Sequence, residues 1–411
     1  MPRPSTTTPP SILTLVIMAA VSAASLNVFL PSLPKMAVAF ETSYAVIQLA
    51  VAGYLFLTGF VQLLIGPLSD RYGRRPVALV TFGTFALASI GAALSQTLEL
   101  FFVFRALQAA AVAGFVLSRA MIRDVYGPDD AASMIGYVTM CMALIPMLAP
   151  VFGGFLDDAL GWRANFWALA AFGMVLTAMI YFDAGETNTV QNASFTDQFR
   201  AYPELFASKR FWGYAFTGAF SVGAFFAYLG GGPFIGAEIY GLTPAQVGLC
   251  LGIPPTGYLI GNGISGLYAS RVGIMRMILI GTFTQAVLVF GAVSVSLSGI
   301  QSPWAFFAFL AGIGLGNGMI LPSATAGVLN VRPRLAGSAA GLSGALATFA
   351  GAIFSGWVAS LLGPESTAFT LAICIFCSAL LGFFAALLTA YWEARTPDQN
   401  ETSAAPSAKS G

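Results

Sequence analysis

Apolar stretches of about twenty residues follow one another from Ile12 to Tyr391, separated by short polar breaks. A helix needs ~20 apolar residues to cross the hydrocarbon core of a bilayer. The pattern predicts spans at 12–33, 44–66, 76–96, 98–120, 133–156, 163–182, 211–233, 243–268, 274–297, 303–325, 336–361 and 367–391. Only 9% of the residues are charged and 57% are hydrophobic, whereas soluble domains carry about a quarter charged residues. One aqueous core cannot hide that much apolar surface, and backbone groups in lipid are satisfied only within helices or closed barrels. The expected fold class is an all-α membrane protein of twelve transmembrane helices. The first run, ILTLVIMAAVSAAS, also resembles a secretory signal, but its continuation to Leu33 favours a first membrane helix.

The one long polar interruption divides the spans six and six. The expected organisation is a tail at 1–11, a six-helix bundle at 12–182, a linker at 183–210, a second bundle at 211–391 and a polar tail at 392–411. Lysine and arginine favour cytoplasmic loops. With the N-terminus inside, one set of loops holds Arg71, Arg74, Arg75, Arg123, Arg200, Lys209, Arg210, Arg271, Arg276, Arg332 and Arg334. The other set holds only Lys35 and Arg163. Both termini and the linker are therefore expected in the cytoplasm. The halves also echo each other: Gly66-x-x-x-Asp70-Arg71-x-Gly73 returns 200 residues later as Gly266-x-x-x-Ser270-Arg271-x-Gly273. Parallel six-span repeats predict two pseudo-symmetric bundles with a binding site between them near the membrane midplane.

Other functions are disfavoured by composition. A net charge of +1 gives no case for nucleic acid, and histidine is absent, which removes the usual near-neutral proton carrier and the commonest metal ligand. The four cysteines sit in apolar runs, and Cys374-x-x-Cys377 has no second pair, so inert thiols are expected and no metal or cofactor. An enzyme would need paired carboxylates, metal ligands or an activated nucleophile at depth; no such set is present, and no enzyme activity is expected. The expected partners are a small-molecule substrate and the bilayer, with the chain a monomer.

The loop GPLSDRYGRRP, 66–76, gathers four charges and two glycines between oily runs. A basic topology anchor explains Arg71, Arg74 and Arg75 but not Asp70. The alternative is a charged latch in which Asp70 accepts hydrogen bonds at a neighbouring helix N-terminus, that of the eleventh span, where Gly337 and Gly341 allow close approach. Arg71, Arg74 and Asp124 would complete it.

GPLSDRYGRRP resembles motif A of the major facilitator superfamily, with Gly66, Asp70, Arg71, Gly73 and Arg74 at its marked positions. Phe104–Ala109, with Arg105 inside span four, is similar to motif B. Ser118-Arg119-Ala120-Met121-Ile122-Arg123-Asp124 resembles the run that closes that span in the Bcr/CflA branch (bicyclomycin and chloramphenicol resistance). Gly136, Pro150, Gly153 and Gly154 fit the antiporter motif C of span five, although Ile145 and Ala149 stand where glycines are usual. The resemblance covers about 12–390. It implies the major facilitator fold and a drug exporter working by alternating access, with the proton gradient as energy source, in a bacterial inner membrane. In that branch an acid is common in span one; here the aligned residue is Asn27. An amide binds and releases no proton in the physiological range, so the usual coupling site is missing.

Arg105 lies about 10 Å into the membrane at a rise of 1.5 Å per residue. It either snorkels outward or faces a wet cavity or a partner; Gln108 at i+3 favours the cavity. The candidate lining is Asn27, Tyr54, Arg105, Gln108 and Met142 from the first half, with Phe226, Tyr228, Tyr258, Asn262 and Asn317 from the second. With Arg105 as the only deep charge, neutral or amphiphilic compounds are expected as substrates. A facilitator or importer without proton coupling is the alternative.

Overall fold

Several helices start where the sequence supplies a hydroxyl to cap them. Ser11, Thr97, Ser208, Thr243 and Ser302 each accept a hydrogen bond from a backbone N–H of the first turn, satisfying a donor that otherwise lacks a partner. The computed structural model describes residues 9–188, 202–332 and 335–395. Its main helices are α1 (Ile12–Ala39), α2 (Tyr44–Tyr72), α3 (Arg74–Leu94), α4 (Leu98–Val125), α5 (Pro128–Leu160), α6 (Arg163–Asp183) and α7 (Lys209–Ile239). They continue as α8 (Pro244–Leu251 with Ile253–Val272), α9 (Ile274–Leu297), α10 (Pro303–Val331), α11 (Ala336–Leu361) and α12 (Ala368–Arg395).

Among the described residues eleven helices are long and apolar enough to cross a membrane. The exception is α8, for which an unbroken span at 243–268 was expected. It breaks at Gly252, ahead of Pro254 and Pro255, and its longer piece carries Asn262, Ser265 and Ser270. It still packs along α10 and against α5 as a membrane helix would.

Helices α1–α6 pack on one another, as do α7–α12. The two bundles meet along two seams, α2 with α11 and α5 with α8. These seams are equivalent under the repeat, since α8 answers to α2 and α11 to α5. The echo seen in the sequence has a geometric counterpart. Gly73 sits at φ 95°, ψ 149° and Gly273 at φ 93°, ψ 149°, a left-handed turn that only glycine adopts freely. Glycines in α10 serve close packing: Gly314 and Gly318 face the α8 backbone, while Gly312 and Gly316 face Leu288 and Gln285 of α9.

Candidate functional site: a cavity between the bundles

Between the seams lies a cavity of about 360 Å³, walled by α1, α2, α4 and α5 on one side and α7, α8, α10 and α11 on the other. These are equivalent helices of the two repeats. Of the residues anticipated from sequence, Asn27, Tyr54, Met142, Phe226, Tyr258 and Asn317 line it. Among the described residues no Asp, Glu, Lys or Arg does. The size and the mix of aromatics with a few polar groups suit a small-molecule site.

Both asparagines stand in the cavity wall. Asn27 Nδ2 donates to the Ala23 carbonyl at 2.7 Å, and its Oδ1 is buried without a partner. Asn317 Oδ1 accepts from the Ser221 hydroxyl and, at 3.4 Å, from Gln285 Nε2, which leaves its N–H groups for a ligand. Asn317 thus keeps donors for the cavity, while the Asn27 Oδ1 is closed off behind the wall.

Four anticipated residues stand elsewhere. Arg105 does not line the cavity: it is buried inside the first bundle, with its guanidinium 3.9 Å from the Tyr54 ring centroid and 4.4 Å from that of Phe29. Its Nε donates to the Ala50 carbonyl (2.9 Å) and its Nη1 to Gln108 Oε1 (2.8 Å). Gln108 in turn donates to Ser89 Oγ (2.7 Å). This network ties α2, α3 and α4 together, and the deep cation that was to colour the cavity is screened from it by Tyr54. Tyr228 is buried between α7 and α8, donating to the Cys250 carbonyl at 2.6 Å. Asn262 faces a separate pocket between α8 and α10, with Nδ2 bonded to the Tyr258 carbonyl (3.0 Å). Thr58 and Gln62 line the cavity but were not anticipated; with Tyr54 they recur every fourth residue, a polar stripe on one face of α2 that the sequence does carry.

The motif A residues form a cluster at the arginine-rich face. Arg74 meets Asp70 Oδ1 (2.5 Å) and Asp124 Oδ2 (3.0 Å), and Arg71 lies over the Tyr72 ring. Glu186, from the stretch after α6, accepts from the backbone N–H groups of Arg74 (2.8 Å) and Arg75 (3.2 Å). The anion at the N-terminus of α3 is therefore Glu186, a residue not singled out from sequence. Asp70 pairs within its own bundle, and among the described residues it makes no bond to α11. Gly66 and Gly341 face open space. Gly337 and Gly136 have helical backbone, and their surroundings lie outside the described residues.

The opposite face holds the bundles together. Four hydrogen bonds join them among the described residues: Tyr44 to the Gly230 carbonyl, Gln48 to Ser355, the Ala245 N–H to Asp158 and Thr256 to Met147. All four lie away from the arginines. An acid at a partner helix N-terminus, sought at Asp70, occurs here as Asp158 at the start of α8. Motif C is built into the same seam. A Cβ on Gly154 would overlap the Pro244 carbonyl of α8, one on Gly248 would overlap the Pro150 carbonyl of α5, and one on Gly153 would overlap the Val28 carbonyl of α1.

Residues 15–355 match the Major Facilitator Superfamily. The chain belongs to that superfamily. It is a multi-pass membrane transporter and not an enzyme. It is 30% identical over 373 residues to the "uncharacterized MFS-type transporter YdgK" of Bacillus subtilis (strain 168), covering 88% of this chain and 90% of the relative. It is 26% identical to a bicyclomycin resistance protein homolog of Haemophilus influenzae, covering 91% and 95%. It is 39% identical over 152 residues to a chloramphenicol resistance protein of Pseudomonas aeruginosa, covering 36% of each. Among solved structures, a bacterial homolog of the human lysosomal transporter Spinster, inward-facing and unoccupied, superposes with a TM-score of 0.74 at 15% identity, covering 92% and 95%. A D-xylose–proton symporter superposes with 0.73 at 15% identity, covering 92% and 96%. At that identity the likeness speaks for the major facilitator fold alone.

Proposed function

We propose that this superfamily member exports small neutral or amphiphilic compounds, antibiotics among them, from the cytoplasm across a bacterial inner membrane in exchange for protons. The observation that carries the reading is the uncharged cavity between the bundles, with Asn27 and Asn317 as amides of its wall. A neutral wall costs a neutral drug no ion pairing and gives a lipophilic cation no counter-ion. The names of the resistance proteins it resembles support export of drugs. The arginine-rich face is the cytoplasmic one by the bias of its loops, which makes this conformation open inward, with both termini inside. The domain boundaries at 12–182 and 211–391 fit the packing of the two bundles, and the chain works as a monomer.

Expression in a bacterium stripped of its own drug exporters tests this. Resistance to chloramphenicol or bicyclomycin should rise and their accumulation fall, with little change for a lipophilic cation such as ethidium. Raised accumulation would instead show import. The absence of an acid from the cavity favours a second reading, a facilitator without proton coupling. Drug flux that persists unchanged after the pH gradient is collapsed would establish it.

A further inference from the structure

The cavity holds no carboxylate, so a proton-driven exporter must bind its proton elsewhere. Three buried side-chain oxygens without a hydrogen-bond partner mark the seam of α1, α5 and α6: Asn27 Oδ1, Asn165 Oδ1 and Asp157 Oδ2. They follow one another outward from the cavity. Asn27 stands in the cavity wall. The next carbonyl along α1, that of Val28, lies against Gly153, and a Cβ on Gly153 would come 3.2 Å from Asn165 Oδ1. Asn165 is fixed in that direction by its Nδ2, which donates to Ser32 Oγ at 3.0 Å. Asp157 follows Gly153 by four residues and so continues the same face of α5 one turn further out. Buried oxygens without donors are costly and rare, and three of them stand along this one seam.

At the outer end, Lys35 Nζ lies 3.3 Å from Asp157 and 3.6 Å from Asp158. One cation serves two carboxylates, so the cluster carries a net negative charge that one proton neutralises. Asp157 is the buried member, its side chain shielded from solvent while that of Lys35 is half-exposed. Asp158 is the member that reports on conformation, since its Oδ2 accepts from the Ala245 N–H across the bundle seam. The neighbouring elements supply no competing partner. Arg163 of α6 donates to the Ser95 carbonyl and stacks on Trp162. The facing segment of α8, Pro244–Leu251, carries Cys250 as its one titratable side chain. Glu41, Glu238 and Tyr240 make no hydrogen bond or ion pair with the cluster among the described residues. Asp70 and Asp124, by contrast, are both occupied by Arg74.

We propose that Asp157 is the proton-binding carboxylate of this transporter, and that the Asn165–Asn27 seam carries its proton to the cavity. The proposal rests on the reading of the chain as a proton-coupled exporter. When the outer face opens, the Ala245–Asp158 bond breaks, water reaches Asp157, and its carboxylate takes one proton from outside. When that face shuts, the proton leaves Asp157 along the seam for the water of the inward-open cavity. Asp157 returns to its pairing with Lys35, and one proton has entered per cycle.

Two measurements on the full chain test this. Dicyclohexylcarbodiimide, which reacts with protonated carboxyl groups in apolar surroundings, is applied in membranes at acidic and alkaline pH and the adduct is located by mass spectrometry. The expected adduct is on Asp157 and grows toward acidic pH; an adduct on Asp70 or Asp124 with Asp157 unmodified overturns the siting. In proteoliposomes, chloramphenicol and proton movements are followed together. Asp157→Asn should drop gradient-driven accumulation to the level seen without a gradient, and Asp157→Glu should restore it. Asn165→Leu should lower the protons moved per drug while Asp157 still takes the adduct, a result that mere misfolding at position 157 would not give. Asp157→Asn accumulating drug like wild type overturns the siting alone. Wild type carrying chloramphenicol with no proton movement overturns antiport itself, and this proposal with it.

Discussion

Arg105 shows how a charge survives deep in a membrane protein without lining its central cavity. The guanidinium lies between the rings of Phe29 and Tyr54 and donates to Ala50 and Gln108, so stacking and charge-assisted bonds together offset its desolvation. Arg105→Ala leaves the Gln108 and Ala50 acceptors without their donor and opens a hole between two rings. A loss of about 3 kcal/mol in stability is expected, read as a lower melting temperature in detergent, with the drug profile of the surviving protein unchanged. Arg105→Lys should recover only part of this, because a point charge cannot make the fork or the stack. Asn27 is the opposite case, a residue whose loss belongs to binding. Asn27→Leu replaces a polar stretch of the cavity wall by a bulkier apolar one and should weaken drug binding by about tenfold, or ~1.4 kcal/mol, with melting nearly unaffected. Asn27→Asp places an acid in the wall and should admit lipophilic cations; failure of ethidium export to appear in that variant would count against a charge-selective cavity. The sequence marked Asn27 because it stands where the resembled branch carries an acid, and Asn262 and Asn317 because a buried amide needs a partner. It marked Arg105 because a charge at depth needs a wet cavity or a partner, with Gln108 at i+3 favouring the cavity; the structure supplies the partners instead.

The direction in which Arg105 points was hidden by a change of helix type. Arg105 and Val112 are seven residues apart, and in a regular α-helix they nearly share a face. In α4 the stretch Gln108–Val112 winds as a 3-10 helix. At 3.0 rather than 3.6 residues per turn it adds about 20° per residue, or about 100° over five residues. Val112 and Phe115 therefore line the cavity while Arg105 looks into its own bundle. No residue type in Gln-Ala-Ala-Ala-Val announces that tightening. Long apolar periods, by contrast, made the helices legible, and glycine with arginine in register made the repeat legible. Motif C supplies the test at this scale, since neighbouring glycines have different partners. Gly153 meets the Val28 carbonyl within its own bundle, and Gly154 meets the Pro244 carbonyl across the seam. Gly153→Ala should lower the melting temperature, as overpacking in a core costs about 1–3 kcal/mol. Gly154→Ala places the same cost on one conformation, the one shut on this face. It should open that face at little expense in melting. The reading is faster alkylation of a cysteine at Gln48→Cys by a maleimide that cannot cross the membrane. Equal melting losses in the two variants, with no change in alkylation, would mean the seam has no separate conformational role.

For the whole molecule, the distribution of bundle-to-bundle bonds implies a second state. All the hydrogen bonds joining the halves among the described residues lie away from the arginines, while the ionic cluster at the arginine face is internal to the first bundle. Arg74 already satisfies Asp70 and Asp124 there, so shutting that face must either bring the start of α11 up to a ready-made cluster or take Asp70 from Arg74. A transporter whose bundles rock as rigid bodies about a central site needs both faces to close in turn. Disulfide locking measures this directly. With Cys141, Cys250, Cys374 and Cys377 replaced by serine, Gln48→Cys with Ser355→Cys should be bridged in the conformation described here by a short bis-methanethiosulfonate linker, which makes up the length lost from the glutamine that reaches Ser355 at 2.8 Å. Asp70→Cys with Ala340→Cys should cross-link only when the arginine face shuts. Each lock should abolish drug movement and a reductant should restore it, because either one removes half of the cycle. The two locks should also exclude each other: once the first pair has been bridged, the second pair in a quadruple variant should stay unbridged. Simultaneous formation of both would mean that the bundles do not rock about the cavity, and the site would then need a channel-like path that the closed α2–α11 and α5–α8 seams do not provide.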